Sequence, residues 1–336
     1  MTKRSVPRSR LLAPVGILAA AGIISGVLQG SSGAAESRPR MSVVADPAAV
    51  SAPSAPSAPA TSAPSATAAP TATATGDPSA TPSPAPSPTP TPTPTPAPAP
   101  VADEALRSAA ARADGALSVS VTDLTTGQSL TYGAPGHGFA TASIVKVDIL
   151  ATLLLQSQDG GTALTAAQQD LATAMIENSD NDSATALWNE IGQDGGLNAA
   201  DRRFGLTATT GGADGYWGLT ATTAADQAQL LCQVFTGDSI LSPASRGYVQ
   251  QLLGQVESDQ RWGVSAAATG GTSAVKDGWL PRDADGLWVI NSIGTVEHDG
   301  HQLLIAVLSD GNADESGGIA LVESVAQAAA GSLNGS

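Results

Sequence analysis

The feature that most limits what this chain can fold into is a tract of alanine, proline, serine and threonine. Seventeen of the 23 prolines lie between Pro47 and Pro100, and the tract ends in a Thr-Pro repeat. Such a composition cannot bury enough apolar surface to offset the entropy of ordering the chain. Alternating prolines favour extended polyproline II, so at ~3.1 Å per residue the tract reaches on the order of 170 Å at most. A packed fold is left to residues 101–336, enough for one large core or two small lobes.

Ahead of the tract, Lys3, Arg4, Arg8 and Arg10 precede an apolar run from Leu11 to Leu28, and Ser32-Gly33-Ala34 follows. A basic start, an apolar run and small residues describe a secretory signal, cleaved before Ala35, or an uncleaved membrane anchor. No cysteine follows the run, so a lipid-modified cysteine is not expected there. The expected organisation is residues 1–34 as signal or anchor, 35–100 as a disordered stalk and 101–336 as the folded domain. The protein is expected to be secreted or anchored outside the membrane, in a bacterial cell envelope. The stalk's hydroxyls are candidates for O-linked sugars.

Charge divides the same way. Residues 101–336 carry 9 Lys/Arg against 27 Asp/Glu, which argues against nucleic acid or anionic lipid as a partner. The single cysteine, Cys232, excludes an intramolecular disulfide and a cysteine-based zinc site; on a helical stretch it reads as a small buried apolar residue. No oligomer is indicated, and no cofactor or metal is expected. His298 and His301 flank a turn at Asp299-Gly300 and read as exposed turn histidines.

In the folded part, Asp103–Ala113 reads as a helix, and Leu117, Val119 and Val121 alternate with polar residues as a strand. Thr125–Gln128 turns into a second strand at Ser129–Tyr132. Helices are expected at Ser143–Gln156, Thr165–Glu177, Ser183–Ile191, Thr220–Phe235 and Ser242–Leu253. Strands return at Ser273–Trp279, Leu287–Val296 and Gln302–Ser309, the last a central one, and Ile319–Ala330 closes as a helix. This order predicts an α+β fold: a five-stranded antiparallel sheet flanked by the terminal helices, with an all-helical lobe inserted between strands two and three.

The helix from Ser143 is apolar on every side, so it is buried, and Lys146 and Asp148 are its exceptions. Apart from Lys3, the chain's lysines are Lys146 and Lys276. A buried ammonium can lose its proton where a guanidinium cannot. Ser143 and Lys146 lie one turn apart on one helix face, so a desolvated lysine can take the serine's proton. Ser179-Asp180-Asn181 forms a polar loop between apolar helices: Ser179 can relay a proton, Asn181 can donate to a substrate amide, and Asp180 can hold the loop by bonding backbone N–H groups. Simple helix capping also accounts for this tripeptide. In Lys276-Asp277-Gly278-Trp279, the glycine on a strand lets a ligand backbone approach closely.

In this order the elements match Ser-x-x-Lys, Ser-Asp-Asn and Lys-Thr-Gly. With the stretches MIENSDNDSATALW and WVINSIGTVEHDGHQLLIAVLSD, residues 101–336 resemble the penicillin-recognising serine hydrolases, closest to class A β-lactamase-like proteins. The resemblance implies that Ser143 is the acylated nucleophile, Lys146 its base, Ser179 a proton shuttle and Asn181 a ligand of the acyl amide. Lys276 would help bind a substrate carboxylate, and the N–H groups of Ser143 and Trp279 would form the oxyanion hole.

Two departures matter. Asp277 stands where the family has Ser or Thr, and a carboxylate lining the site would repel an anionic substrate unless protonated or paired with Lys276. The deacylating glutamate is not visible before Thr220-Ala221-Thr222-Thr223; Asp214 is the nearby carboxylate. The 36 residues from Ser143 to Ser179 also make a short helical lobe, which implies a more open cleft. There is no Gly-x-Ser-x-Gly elbow and no phosphate-binding glycine loop. The reading is an exported serine hydrolase acting on an amide, ester or peptide, a small molecule or a peptidoglycan-like substrate. The alternatives are an inert cell-wall-binding domain on the same fold and a true β-lactamase.

Overall fold

The computed structural model describes residues 101–334 apart from residue 283. The expected signal, anchor and stalk lie outside the described residues. Helix α1 (Glu104–Ala110) starts at Asp103, whose side chain accepts from the Leu106 N–H. Strands β1 (Leu117–Asp123) and β2 (Ser129–Gly133) form a hairpin. Its turn is tied by Asp123, which accepts from the Thr125 N–H and the Thr126 hydroxyl, each at 2.7 Å. A short strand β3 (Phe139–Ala140) and a 3-10 turn at Ala142–Ile144 lead into α2 (Val145–Asp159).

The helical lobe continues with α3 (Ala166–Glu177), opened by a Thr165/Gln168 capping box, α4 (Asn181–Glu190), capped by Asp180, and α5 (Gln193–Phe204). After a second short strand, β4 (Ala221–Thr222), come α6 (Ala224–Phe235) and α7 (Pro243–Gly254), capped by Thr223 and Ser242. The chain then returns to the sheet with β5 (Ser273–Pro281), β6 (Trp288–His298) and β7 (His301–Asn312), and ends in α8 (Glu315–Asn334). The sheet order is β2-β1-β7-β6-β5, every pair antiparallel.

Strand β7 is central because it is apolar on both faces. Leu303, Ile305 and Val307 join the core beneath α1 and α8 with Leu106, Val322 and Val325. Leu304, Ala306 and Leu308 join the core of the helical lobe with Ile149 and Leu230. The sheet thus separates two cores, and β5, one of its two edge strands, borders both. The α+β reading holds in strand number, direction and the place of the inserted lobe.

Several details differ from expectation. Helix α5 was not foreseen, because Gly195 and Gly196 lie inside it. Packing overrides the propensity: a Cβ at Gly196 would sit 1.7 Å from the Ile191 carbonyl oxygen. The threonines at 220–223 do not begin a helix; Ala221 and Thr222 pair with Ala140 and Phe139, and Thr223 caps α6. Cys232 is only half-buried against the lobe core. His298 and His301 do flank the turn, where Asp299 and Gly300 take φ of 49° and 82°. They are not free at the surface: His301 Nδ1 lies 2.8 Å from the buried Asp123 carboxylate, and His298 Nδ1 lies 2.6 Å from the Ala267 carbonyl oxygen. Among the described residues, no helix is long and apolar enough to cross a membrane.

Candidate active site

The site forms where α2, the loop before α4, and β5 meet. Every residue from Val145 to Leu155 in α2 is buried, so Lys146 has no path for its ammonium to reach bulk water. Its Nζ lies 3.0 Å from Ser143 Oγ, 3.0 Å from Ser179 Oγ, 2.7 Å from the Ser179 carbonyl oxygen and 2.8 Å from Asn181 Oδ1. An ammonium has three donors, so four oxygens at this range cannot each own one. A neutral amine has two donors and one lone pair: it can donate to the Ser179 carbonyl and Asn181 Oδ1 and accept from the Ser143 hydroxyl, while Ser179 Oγ takes its bond from Lys276. Burial first, and then the charge of Lys276, hold the Lys146 amine well below the usual lysine range, while Asp180 pulls it back up.

Lys276 is also fully buried; its Nζ donates to Ser179 Oγ at 3.0 Å and to the Asp277 carbonyl oxygen at 3.1 Å. Burial lowers its pKa to about 8, with Asp277 opposing. Ser179 Oγ therefore bridges two buried amines. Ser179 sits at φ 54° and Ala142, just before Ser143, at φ 48°. A left-handed backbone at a residue with a Cβ costs about 1–2 kcal/mol, so both are over-determined by their surroundings. The Asn291 amide donates to the Ala140 and Thr141 carbonyl oxygens at 2.8 and 3.0 Å, and the Thr141 N–H donates to the Thr220 carbonyl oxygen at 2.8 Å. Lys146 itself grips the Ser179 carbonyl. Asp180 caps α4 through the Ser183 N–H at 2.7 Å and stays below the usual carboxylate range through that partner. The capping and loop-holding readings of this tripeptide thus both apply.

Strand alternation divides the Lys276–Trp279 segment. Lys276 and Gly278 face the turn that carries Ser143; Asp277 and Trp279 face the core beneath α8. Asp277 is wholly buried and accepts from the Trp262 N–H at 2.9 Å and the Ser292 hydroxyl at 2.5 Å. Burial raises its pKa to about 7. The expectation that its carboxylate lines the substrate wall is therefore corrected: the pleat turns it away. The Trp279 indole packs on Trp262, ring centroids 6.1 Å apart, so only its backbone remains for the role the resemblance gives it.

Gly278 is also corrected. The close approach it permits is by the chain's own 142–144 turn: a Cβ there would lie 2.8 Å from both the Ser143 and Ile144 nitrogens. Gly278→Ala is expected to push Ser143 away from Lys146, lowering stability by about 1–3 kcal/mol and acylation of Ser143 by more than that loss predicts. Thermal denaturation beside an acylation time course checks this; an unchanged rate would refute it.

Two contributors were missed. Asn291 had a signal, an amide next to the apolar run Trp288–Ile290 and fully buried in the strand. Trp217, in the 211–219 loop, lies with its ring centroid 5.0 Å from Lys146 Nζ. Asp214 is exposed at φ 55° in that loop, and the carboxylate acting on Lys146 is Asp180. Asp148, the other exception on α2, faces Asp201 of α5 in the lobe core. Among the described residues, no group of three or more His, Cys, Asp or Glu could hold a metal ion.

The Beta-lactamase enzyme family model matches residues 163–333, and the chain belongs to that family. "Putative lipoprotein LppW" of Mycobacterium tuberculosis is 28% identical over 177 residues, 51% of this chain and 56% of LppW. The chain thus spans about half the length of the curated relatives it matches. A β-lactamase structure from Chitinophaga pinensis aligns with TM-score 0.59 and 19% identity over 66% of this chain and 96% of that one. A structure of PBP-A aligns with TM-score 0.59 and 20% identity over 69% and 96%. At such identities these structures establish the shared fold.

Proposed function

We propose that this protein is an exported serine hydrolase that acylates Ser143 with Lys146 as base, on an amide, ester or peptide substrate derived from the cell wall. The observation that carries this reading is the buried Lys146 amine, 3.0 Å from both the Ser143 and Ser179 hydroxyls. The neutral amine takes the Ser143 proton as Oγ attacks the acyl carbon. The N–H groups of Ser143 and Trp279 take up the oxyanion charge. As the bond to the leaving group breaks, Ser179 passes it a proton, drawing on Lys146 and Lys276. Ser143 is left as an ester, and water releases the acid and restores the hydroxyl. Asn181 contacts the acyl amide through the group not held by Lys146, and Lys276 supplies positive charge behind Ser179.

Deacylation is the slow step in this reading, because an aromatic ring and not a carboxylate faces Lys146 from the 211–219 loop. A related PBP-A variant has been captured as an acyl-enzyme complex with penicillin G, which makes a penicillin a fitting first probe. Export rests on the basic start and apolar run of residues 1–34, with residues 35–100 as the spacer. The relative LppW is named a lipoprotein; here the cysteine is Cys232 in α6, so the proposed anchor is the apolar run or none.

Intact mass after incubation with a penicillin, a cephalosporin and a fluorophosphonate tests the reading, beside Ser143→Ala. A lasting adduct on the parent and none on the variant is expected. No adduct and no hydrolysed probe would overturn it and leave an inert binding domain. Rapid probe hydrolysis without an adduct would favour a true β-lactamase.

A further inference from the structure

We infer that Trp217 is a positioning residue for Lys146: its ring closes the open flank of the amine against water and thereby keeps it a usable base. Loop 211–219 is fastened at its neck. Thr210 and Ala221 exchange both backbone hydrogen bonds at 2.9 Å, and the Gly212 N–H donates to Thr220 Oγ1 at 3.1 Å. The loop is also sewn to the nucleophile turn through Thr141 and Thr220. A Cβ at Gly212 would lie 2.0 Å from the Tyr216 carbonyl oxygen, so the loop folds tightly on itself. Within this frame Trp217 is buried, 8% exposed, although Ala213, Asp214 and Gly215 beside it are exposed. Its Nε1 donates to Thr185 Oγ1 at 3.2 Å, and Thr185 Oγ1 donates to the Asn181 carbonyl oxygen at 2.9 Å. The indole is thus pinned to the helix that supplies Asn181, with its face toward Lys146.

The other sides of the amine are already closed. Ser143 lies before it in the 3-10 turn that leads into α2, Ser179 and Asn181 on the α4 side, and Lys276 behind Ser179. The charged groups that act on it are Lys276 from β5 and Asp180 before α4. Asp148, on α2 itself, acts on Asp201. What remains is the flank under the indole. A ring there has two effects of opposite sign. It excludes water, which favours the neutral amine, and its π face attracts the ammonium. The expected sign follows exclusion, in keeping with burial being the largest influence on this lysine.

The inference concerns the same site as the proposed acylation, but its test needs no substrate. The full chain has three lysines, so lysine labelled with 13C at Cε gives three resonances, assigned with Lys146→Arg and Lys276→Arg. The Lys146 midpoint is expected to rise by about one unit or more in Trp217→Ala and to return most of the way in Trp217→Phe, with the Lys276 midpoint moving little. Trp217→Gln, larger and more tolerant of the fold, is expected to raise it as well. Unchanged midpoints in the polar and small variants, or a phenylalanine variant that behaves like alanine, would overturn the inference. Packing alone would alter thermal stability without moving the midpoint. Failure of Ser143 to acylate in the mass experiment would instead refute the proposed function and leave this result readable.

Discussion

Lys146→Ala is expected to slow acylation of Ser143 by about 10²–10⁴-fold, the usual worth of a positioned general base. Lys146→Arg is expected to do no better, because a guanidinium cannot give up its proton in this pH range. In the parent the rate should climb with pH and level off once the amine is neutral, at a midpoint well below that of an ordinary lysine. Stopped-flow acylation by a chromogenic β-lactam or an activated ester, from pH 5 to 9, measures both. An alanine variant within tenfold of the parent would remove Lys146 from the mechanism. Removing the lysine also leaves Ser143, Ser179 and Asn181 without their common partner, so the variant's fold is to be checked by near-UV dichroism.

Stability should run against pH, because of a second group of buried acids. Asp148 and Asp201 are each 1% exposed, and their four carboxyl oxygens meet each other but find no geometric hydrogen-bond donor among the described residues. Burial, and then the charge of Asp201, pushes Asp148 well above the carboxylate range; burial raises Asp201 to about 7, with Asp226 adding to it. Arg202 offers Asp201 a charge but no hydrogen bond. The physical solution is a pair of carboxyls kept at least partly protonated.

The sign follows from proton counting. Between about pH 4 and 7 the unfolded chain has lost these protons and the folded chain keeps them, so stability falls as pH rises. From pH 5 to 8, Asp201 alone contributes about 3 kcal/mol, or roughly 6–12 °C in thermal midpoint for a domain of this size. Asp277, raised to about 7, acts with the same sign. Lys276, lowered to about 8, acts mainly above this window, and Lys146, held well below the lysine range, acts in the opposite sense wherever its folded amine is neutral. Asp201→Asn is therefore expected to flatten much of the slope and to be more stable than the parent at pH 8. Calorimetry at pH 5 and pH 8 on both proteins decides; the same change in stability between the two pH values in parent and variant would refute the protonated pair.

How far the site was legible in the sequence depended on distance along the chain. Ser143 and Lys146 were readable together because helical spacing puts them on one face. An ammonium inside an eleven-residue buried stretch is costly enough to need a reason. Asp180 as a cap was readable from local chemistry. Trp217 was not, because an indole in a glycine-rich loop carries no signal of what it covers. Asp277 was misread for a related reason: its neighbour Lys276 faces the site, and on a strand that is the reason Asp277 does not.

The sequence by itself determined the α+β class, the two faces of β7, the buried helix and the pairing of serine with lysine on it. These follow from periodicity, composition and local spacing, which act within a few residues. Only the tertiary structure decided that Ser179 bridges two lysines from different elements, that Gly278 is a glycine for the sake of the nucleophile turn, and that Asp148 meets Asp201. Those facts depend on which surfaces pack against each other across scores of residues, and no local pattern encodes such a contact.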